Sequence, residues 1–302
     1  MPLRDLLEFL ALAAIWGASF LFMRIAAPEL GPVPLMLLRC VIGALTLLPV
    51  LWLRKAWPAL RASAGHIALV GVVNSAIPFV LLGAASLVLA AGTTSILNAL
   101  APLWAAAIAF AVFGDRLSRW QLIGLVLGVC GVILLSGSGA ASGESVSDAT
   151  LMLAFAAAVA ATFAYGVGAN LTRARLRGVN PLAVAFGSQV SASAVLLVPA
   201  LLLWPEPDSL GQGVLPSTLW VSVLALGTVC TGLAYLLFFR LIGSLGATRA
   251  VSVTFVIPVF GLGWGAWLLN ETIDAWTLAG AAVIVLGTAL ATGTLKPRRP
   301  SV

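Results

Sequence analysis

The stretch GTTSILNALAPLWAAAIAFAVFGDRLSRWQLIGLVLGVCGVILLSG, Gly92 to Gly137, decides the fold, because it returns 156 residues later. In that register Pro102 falls on Pro258, Trp120 on Trp276, Gly124 on Gly280, Gly131 on Gly287 and Gly137 on Gly293. Asp115 falls on Glu271 with no gap. Carried backwards, the same register sets Gly71 on Gly227, Ser75 on Thr231 and Phe79 on Tyr235. Of the eight glycines between residues 67 and 137, four land on glycine; with 30 glycines in 302 residues, chance supplies about one. The chain reads as two copies of one unit.

That unit belongs in a bilayer. The chain is 61% hydrophobic and only 9% charged, with a mean hydropathy of +1.12. Soluble domains carry about a quarter charged residues, and a spanning helix needs about 20 apolar ones. The net charge of +6 and the pI near 10 do not indicate nucleic acid, because the basic residues sit in short loops between apolar runs, where they encode topology. Cys40, Cys130 and Cys230 lie singly inside apolar runs, which excludes a disulfide framework and metal-ligand spacing. Neither a cofactor nor a metal is expected.

Ten apolar segments are predicted, at 6–26, 33–53, 66–88, 91–112, 119–136, 150–171, 181–204, 217–240, 246–269 and 274–294. The first is a spanning helix rather than a cleaved leader, since Asp5 and Glu8 intrude and the run continues past Trp16 to Ile25. With the N-terminus inside, the cytoplasmic segments hold Arg4, Arg54, Lys55, Arg61, Arg116, Arg119, Arg173, Arg175, Arg177, Arg240, Lys296, Arg298 and Arg299. That is thirteen of the sixteen Lys and Arg residues. The outer loops hold none, only Glu29, Glu144, Asp148, Glu206, Asp208, Glu271 and Asp274. Both termini are therefore expected in the cytoplasm.

Five helices per copy is an odd number, so the second copy enters the membrane inverted. The expected architecture is all-α: residues 1–136 a first five-helix repeat, 137–149 a Gly/Ser-rich linker, 150–295 a second, inverted repeat, and 296–302 a cytoplasmic tail. Ser147 or Asp148 is the expected N-cap of the sixth helix. Inverted repeats build many secondary transporters, with the substrate near the midplane between the halves. A receptor or scaffold does not need such duplication. An intramembrane enzyme lacks an acid–base pair, since His66 is the only histidine and lies at a helix edge.

GDRLSRWQLIGLVLGVCGVILL (Gly114 to Leu135) resembles the fifth-helix signature of the drug/metabolite transporter superfamily, EamA type: a small residue, an acid, a short polar step, then a glycine-spaced helix. NETIDAWTLAGAAVIVLGTAL (Asn270 to Leu290) resembles its second copy. Trp16 to Phe20 with Arg24, Arg39 in the second helix, and Ala90 to Ser95 running to Pro102 resemble the rest of the same domain. The resemblance implies ten helices as two inverted repeats and export of small metabolites. Amino-acid exporters are a prominent branch.

The candidate substrate-binding residues are the polar and aromatic groups near mid-depth, which should face inward. They are Trp16 and Ser19 in the first helix, Asn74, Ser75, Pro78 and Phe79 in the third, and Ser95 and Asn98 in the fourth. Thr162 and Tyr165 follow in the sixth, Thr231 and Tyr235 in the eighth, and Thr254 in the ninth. Any of these hydroxyls could instead bond helix to helix. Pro102 and Pro258, at matching positions, break backbone hydrogen bonds and could hinge alternating access. Arg39, two turns below the outer end of its helix, is a candidate for the outer pathway, and Arg24 can snorkel towards Glu29. Separated arginines make no phosphate clamp. Glu8 is the remaining candidate for a buried acid, and with no carboxylate at mid-membrane, facilitative or exchange transport is expected.

The neutral, aromatic lining predicts a multi-pass plasma-membrane exporter of neutral and aromatic amino acids, in a bacterial inner membrane. An exporter of other small metabolites or drugs is the alternative. The partners are the substrate and membrane lipid, not nucleic acid, and a monomer is the expected state. Gly124 with Gly128, and Gly261 with Gly265, permit close helix contact, inside the chain or in a dimer.

Overall fold

A computed structural model of the chain describes residues 1–115, 117–136, 146–206 and 217–293. Arg116, Glu144, Asp208, residues 137–145 of the expected linker and the expected tail lie outside the described residues. The helices are α1 Leu3–Leu30, α2 Pro32–Leu53, α3 Ala64–Ala85, α4 Ala91–Phe113, α5 Arg119–Ser136, α6 Asp148–Arg175, α7 Pro181–Leu202, α8 Ser217–Leu245, α9 Arg249–Leu269 and α10 Ala275–Ala291. A short helix, Trp57–Ala62, precedes α3. Among the described residues there is no strand; nine helices are long and apolar enough to cross a membrane, and α10 is a shorter apolar helix of 17 residues. Helices suit a bilayer because each satisfies its own backbone polar groups where no water can.

Local chemistry sets the helix ends. Ser147 caps α6 as expected, its hydroxyl accepting from the Thr150 amide at 3.2 Å. Asn180 caps α7 ahead of Pro181, and Asp274 caps α10 through the Thr277 amide at 2.6 Å. The residue just past α4 and the one just past α9 are both left-handed: Gly114 at φ 69° and Asn270 at φ 54°. These positions are equivalent in the repeat register, and each stops its helix one residue before an acid.

Four of the apolar runs are not regular helices, and their irregularities repeat in pairs. α3 widens into a π-turn at Val72–Ala76, and α8 does so at Ala225–Leu233. α4 breaks at Ala99 and Leu100, just before Pro102, and α9 narrows to a 3-10 turn at Ser252–Phe255, just before Pro258. Each proline sits in the first turn of the segment that follows, where its missing amide costs nothing.

Packing interleaves the two halves. α2 lies on α7 and α8, and α5 lies on α10. α3 and α4 pack on α6, while their counterparts α8 and α9 pack on α1. The glycines serve these internal contacts. A methyl group at Gly124 would overlap the Gly287 carbonyl, and one at Gly131 would overlap the Ile284 side chain. Without a hydrophobic drive between helices in lipid, such close approach is the main source of attraction.

Some charges lie where the sequence did not put them. Arg240 is inside α8, which runs on to Leu245, and it pairs with Glu8 and, at 3.9 Å, with Asp5. Arg24 donates to the carbonyls of Ser86 (3.0 Å) and Leu87 (2.8 Å), at the end of α3, rather than reaching Glu29. The end of a helix exposes unpaired carbonyls, and a cation there satisfies them.

Candidate functional site

The two π-turns put Ser75 and Thr231 in the interior at equivalent positions; both are buried. The Thr231 hydroxyl donates to the Leu226 carbonyl at 2.8 Å, five residues back, as the wide turn allows. Its oxygen also accepts from Arg39 Nε at 3.0 Å. The Arg39 guanidinium carbon stands 3.9 Å from the centre of the Phe79 ring, and Nη1 points at the Met23 sulfur, 3.9 Å away. Arg39 is only 6% exposed and touches α1, α3 and α8.

Arg39, expected as a candidate for the outer pathway, is buried against these three helices. Depth along a helix was readable from sequence, but the face it presents was not. One turn on, Gly43 shows that face, since a Cβ there would meet Thr231 Cγ2 at 2.7 Å. α2 thus turns both residues onto α8, and Arg39 sits in the seam between the halves.

Around it lie several of the expected residues. Ser75, Phe79 and Thr231 converge directly on this seam, with Pro78 buried beside Phe79. Tyr165 and Tyr235 are within electrostatic reach of Arg39. Tyr235 stacks on Phe239 with ring centres 5.9 Å apart, and Trp16 meets Phe238 at 5.2 Å. Ser19 is buried, and its hydroxyl has no partner among the described residues.

Other expected residues face elsewhere. Asn74 packs against Gly168 of α6, where a Cβ would stand 2.6 Å from its Oδ1. Ser95 donates to the Gly92 carbonyl at 2.7 Å and packs against Gly261 of α9. Thr162 donates to the Val159 carbonyl and Thr254 to the Val251 carbonyl, each within its own helix. In hydrocarbon a hydroxyl that finds a carbonyl one turn back is already satisfied and need not line a pathway. Asn98 is half-buried at the break in α4. Pro102 and Pro258 flank the two breaks.

Three roles were missed. Gln189 of α7 is fully buried; its Nε2 meets the Ser75 hydroxyl at 3.2 Å, while its Oε1 has no partner among the described residues. A lone amide inside an apolar run was the available signal. Glu271, read as a loop residue, accepts from the amides of Ala91 (2.8 Å) and Gly92 (3.3 Å) and so caps α4. Glu8, read as a lone buried acid, is paired with Arg4 at 3.2 Å and with Arg240. Among the described residues no group of three or more His, Cys, Asp or Glu side chains could hold a metal ion. The seam therefore offers one fixed cation, hydroxyls, an amide and aromatic faces.

Known proteins match this arrangement end to end. The pattern of the EamA-like transporter family fits residues 5–137 and again 152–293. A "Probable amino-acid metabolite efflux pump" of Salmonella typhimurium is 27% identical, over 92% of this chain and 92% of its own length. The protein of the same description in Escherichia coli is 23% identical, over 95% and 94%. An "Uncharacterized inner membrane transporter YedA" of Escherichia coli is 26% identical, over 97% and 92%. A solved crystal structure superposes with a TM-score of 0.66 at 19% identity, covering 96% of this chain and 97% of the other, which shows a shared fold. With helices built to cross a membrane many times and the family pattern present twice, the chain is a multi-pass membrane transporter belonging to the EamA-like transporter family.

Proposed function

We propose that the protein exports neutral and aromatic amino acids across the bacterial inner membrane by alternating access. It does so through ten spans arranged as two inverted five-helix repeats, residues 1–136 and 150–295, with both termini cytoplasmic. The observation that carries this is the buried seam of Arg39, Phe79, Thr231 and Ser75, with Tyr165 and Tyr235 close by. It is polar, aromatic and built from both halves, as a midplane site must be if each half in turn is to release the substrate. The relatives described as probable amino-acid metabolite efflux pumps, which align over more than nine-tenths of this chain, support amino acids or their metabolites as the cargo. The breaks at Pro102 and Pro258 are the proposed hinges.

Transport is facilitative or by exchange. Glu8, the remaining candidate for a buried acid, is held between Arg4 and Arg240 instead of standing free to carry a proton. The test is counterflow in proteoliposomes preloaded with single unlabelled amino acids, with and without a pH gradient. Uptake of labelled phenylalanine driven by phenylalanine, threonine or methionine inside, and indifferent to the gradient, is the expected result. Flux with other metabolites or drugs but with no amino acid would transfer the protein to the alternative substrate class. Flux that follows the gradient and vanishes in Glu8→Gln would replace exchange with proton coupling.

A further inference from the structure

Arg39 is the one arginine of the seam, and its surroundings leave it incomplete. Nε is spent on Thr231 at 3.0 Å, and among the described residues Nη1 has only the Met23 thioether at 3.9 Å, a weak acceptor. One face of the guanidinium is covered by Phe79. The ion pairs among the described residues involve Arg4, Arg173 and Arg240, so no aspartate or glutamate there neutralises Arg39. A buried cation without a counter-ion is costly in a protein interior and more so at membrane depth. Residues from three helices nevertheless hold it in one orientation, with part of its forked edge still unused.

A second, independent observation lies one turn away. Ser75 and Phe79 are four residues apart on α3; Phe79 covers Arg39, and Ser75 holds Gln189. The Gln189 Oε1 is buried and without a partner among the described residues. An unmatched cation and an unmatched acceptor thus flank one turn of the same helix. Each is what the opposite end of a zwitterion requires: a carboxylate pairs with a guanidinium through two parallel hydrogen bonds, and an ammonium donates to an amide oxygen. A single arginine supplies one positive charge and so matches the charge of a monoanion such as a carboxylate.

We infer that Arg39 receives the carboxylate of the substrate and that Gln189 accepts from its ammonium group, so that the site selects α-amino acids over cationic or neutral drugs. This rests on the proposed amino-acid export and names the groups that enforce it. No covalent step is involved, only the exchange of hydration for these contacts.

The experiment uses the purified full-length protein and matched ligand pairs. Phenylalanine is compared with phenylalanine amide, which lacks the carboxylate, and with 3-phenylpropionate, which lacks the ammonium. Both competition of labelled-phenylalanine counterflow and ligand-induced thermal stabilisation are measured. In the unaltered protein, phenylalanine should act at concentrations roughly tenfold or more below those of either analogue. In Arg39→Met the advantage over the amide should fall towards one, while Arg39→Lys keeps part of it. In Gln189→Leu the advantage over 3-phenylpropionate should fall instead. A ratio between ligands does not move when a variant is merely less stable, so loss of folding cannot imitate the result. Equal action of phenylalanine and its amide on the unaltered protein, or discrimination that survives in Arg39→Met, overturns the inference even if flux is normal. Absence of amino-acid flux with carboxylate discrimination retained in the thermal measurement overturns the proposed function and leaves Arg39 as a carboxylate receptor.

Discussion

The carboxylates that follow α4 and α9 are held differently, although the repeat makes them equivalents. At the start of α4, the Glu271 carboxylate, two residues beyond α9, accepts from the Ala91 and Gly92 amides, and Arg24 meets the carbonyls of Ser86 and Leu87 just before. The cap and the cation answer the two unpaired sets of backbone groups that the α3–α4 turn exposes. Behind them α4 closes on α9: a Cβ at Gly92 would stand 3.3 Å from Leu262 Cα, and Gly261 lies against Ser95. At the far end of α4, Asp115 holds the place that Glu271 holds after α9. Its carboxylate turns instead to Arg173 of α6, at 2.6 Å, and stays half exposed. Among the described residues, the second segment of α4 makes no comparable packing on the start of α9.

The difference teaches that a repeated motif specifies a helix stop with a carboxylate placed beyond it, and nothing more. Which group the carboxylate meets depends on whether that end of the molecule is joined. Two copies of one motif in two situations are what an inverted repeat needs, because a transporter with both ends joined admits nothing and one with both ends parted leaks.

The largest effect should come from fixing the comparison covalently. In a background with Cys40, Cys130 and Cys230 replaced by alanine, the pair Gly92→Cys and Leu262→Cys is expected to oxidise readily and to stop counterflow. Slow oxidation, read from mobility on a denaturing gel, or counterflow that survives the crosslink, would show that this end is not held closed in the membrane.

Removing the cap comes next. Glu271→Ala leaves two amides without their acceptor; hydrogen bonds to charged groups are worth about 1.5–3 kcal/mol, so the joined end should open by roughly tenfold or more in population. Labelling of Ser95→Cys by a membrane-impermeant thiol reagent should quicken accordingly, and Glu271→Gln, which keeps an acceptor, should lie between. Arg24→Gln should weaken the same end by a smaller factor, roughly threefold, because water can reach carbonyls at a helix end. Unchanged labelling in both variants would remove the Glu271 contact from the account of closure.

The smallest effect is expected at Asp115. Its hydrogen bond to the Arg173 guanidinium holds the carboxyl below the ordinary carboxylate range, yet the pair is half exposed and screened. A lowered folded pKa gives a contribution that is present above the unfolded value and lost as pH falls through the folded one. The thermal stabilities of the unaltered protein and Asp115→Asn should therefore differ little and by a constant amount from pH 7 down to about 4, converging only below. A large loss of transport in Asp115→Asn, with stability unchanged, would sharpen the comparison by showing that Asp115 has a second partner in another conformation.

The sequence by itself determined the membrane setting, the apolar helices and their approximate limits, the repeat register and the family. Each of these follows from local composition or from spacing along the chain, and helix formation in a bilayer is driven locally by the need to satisfy every backbone group. It also marked Ser75 and Thr231 as inward-facing, and both are buried, because polar groups inside a membrane helix are costly without inward partners. Tertiary structure decided which face each helix turns inward. For that reason the burial of Arg39 in the seam, and the packing or backbone hydrogen bonds made by Asn74, Ser95, Thr162 and Thr254, are legible only in the structure. It also decided the partners of charges far apart in sequence, Arg240 with Glu8 and Glu271 with Ala91. A helix carries the same residues whichever way it is rotated; only contact with its neighbours, through close approaches such as Gly43 on Thr231, selects one rotation.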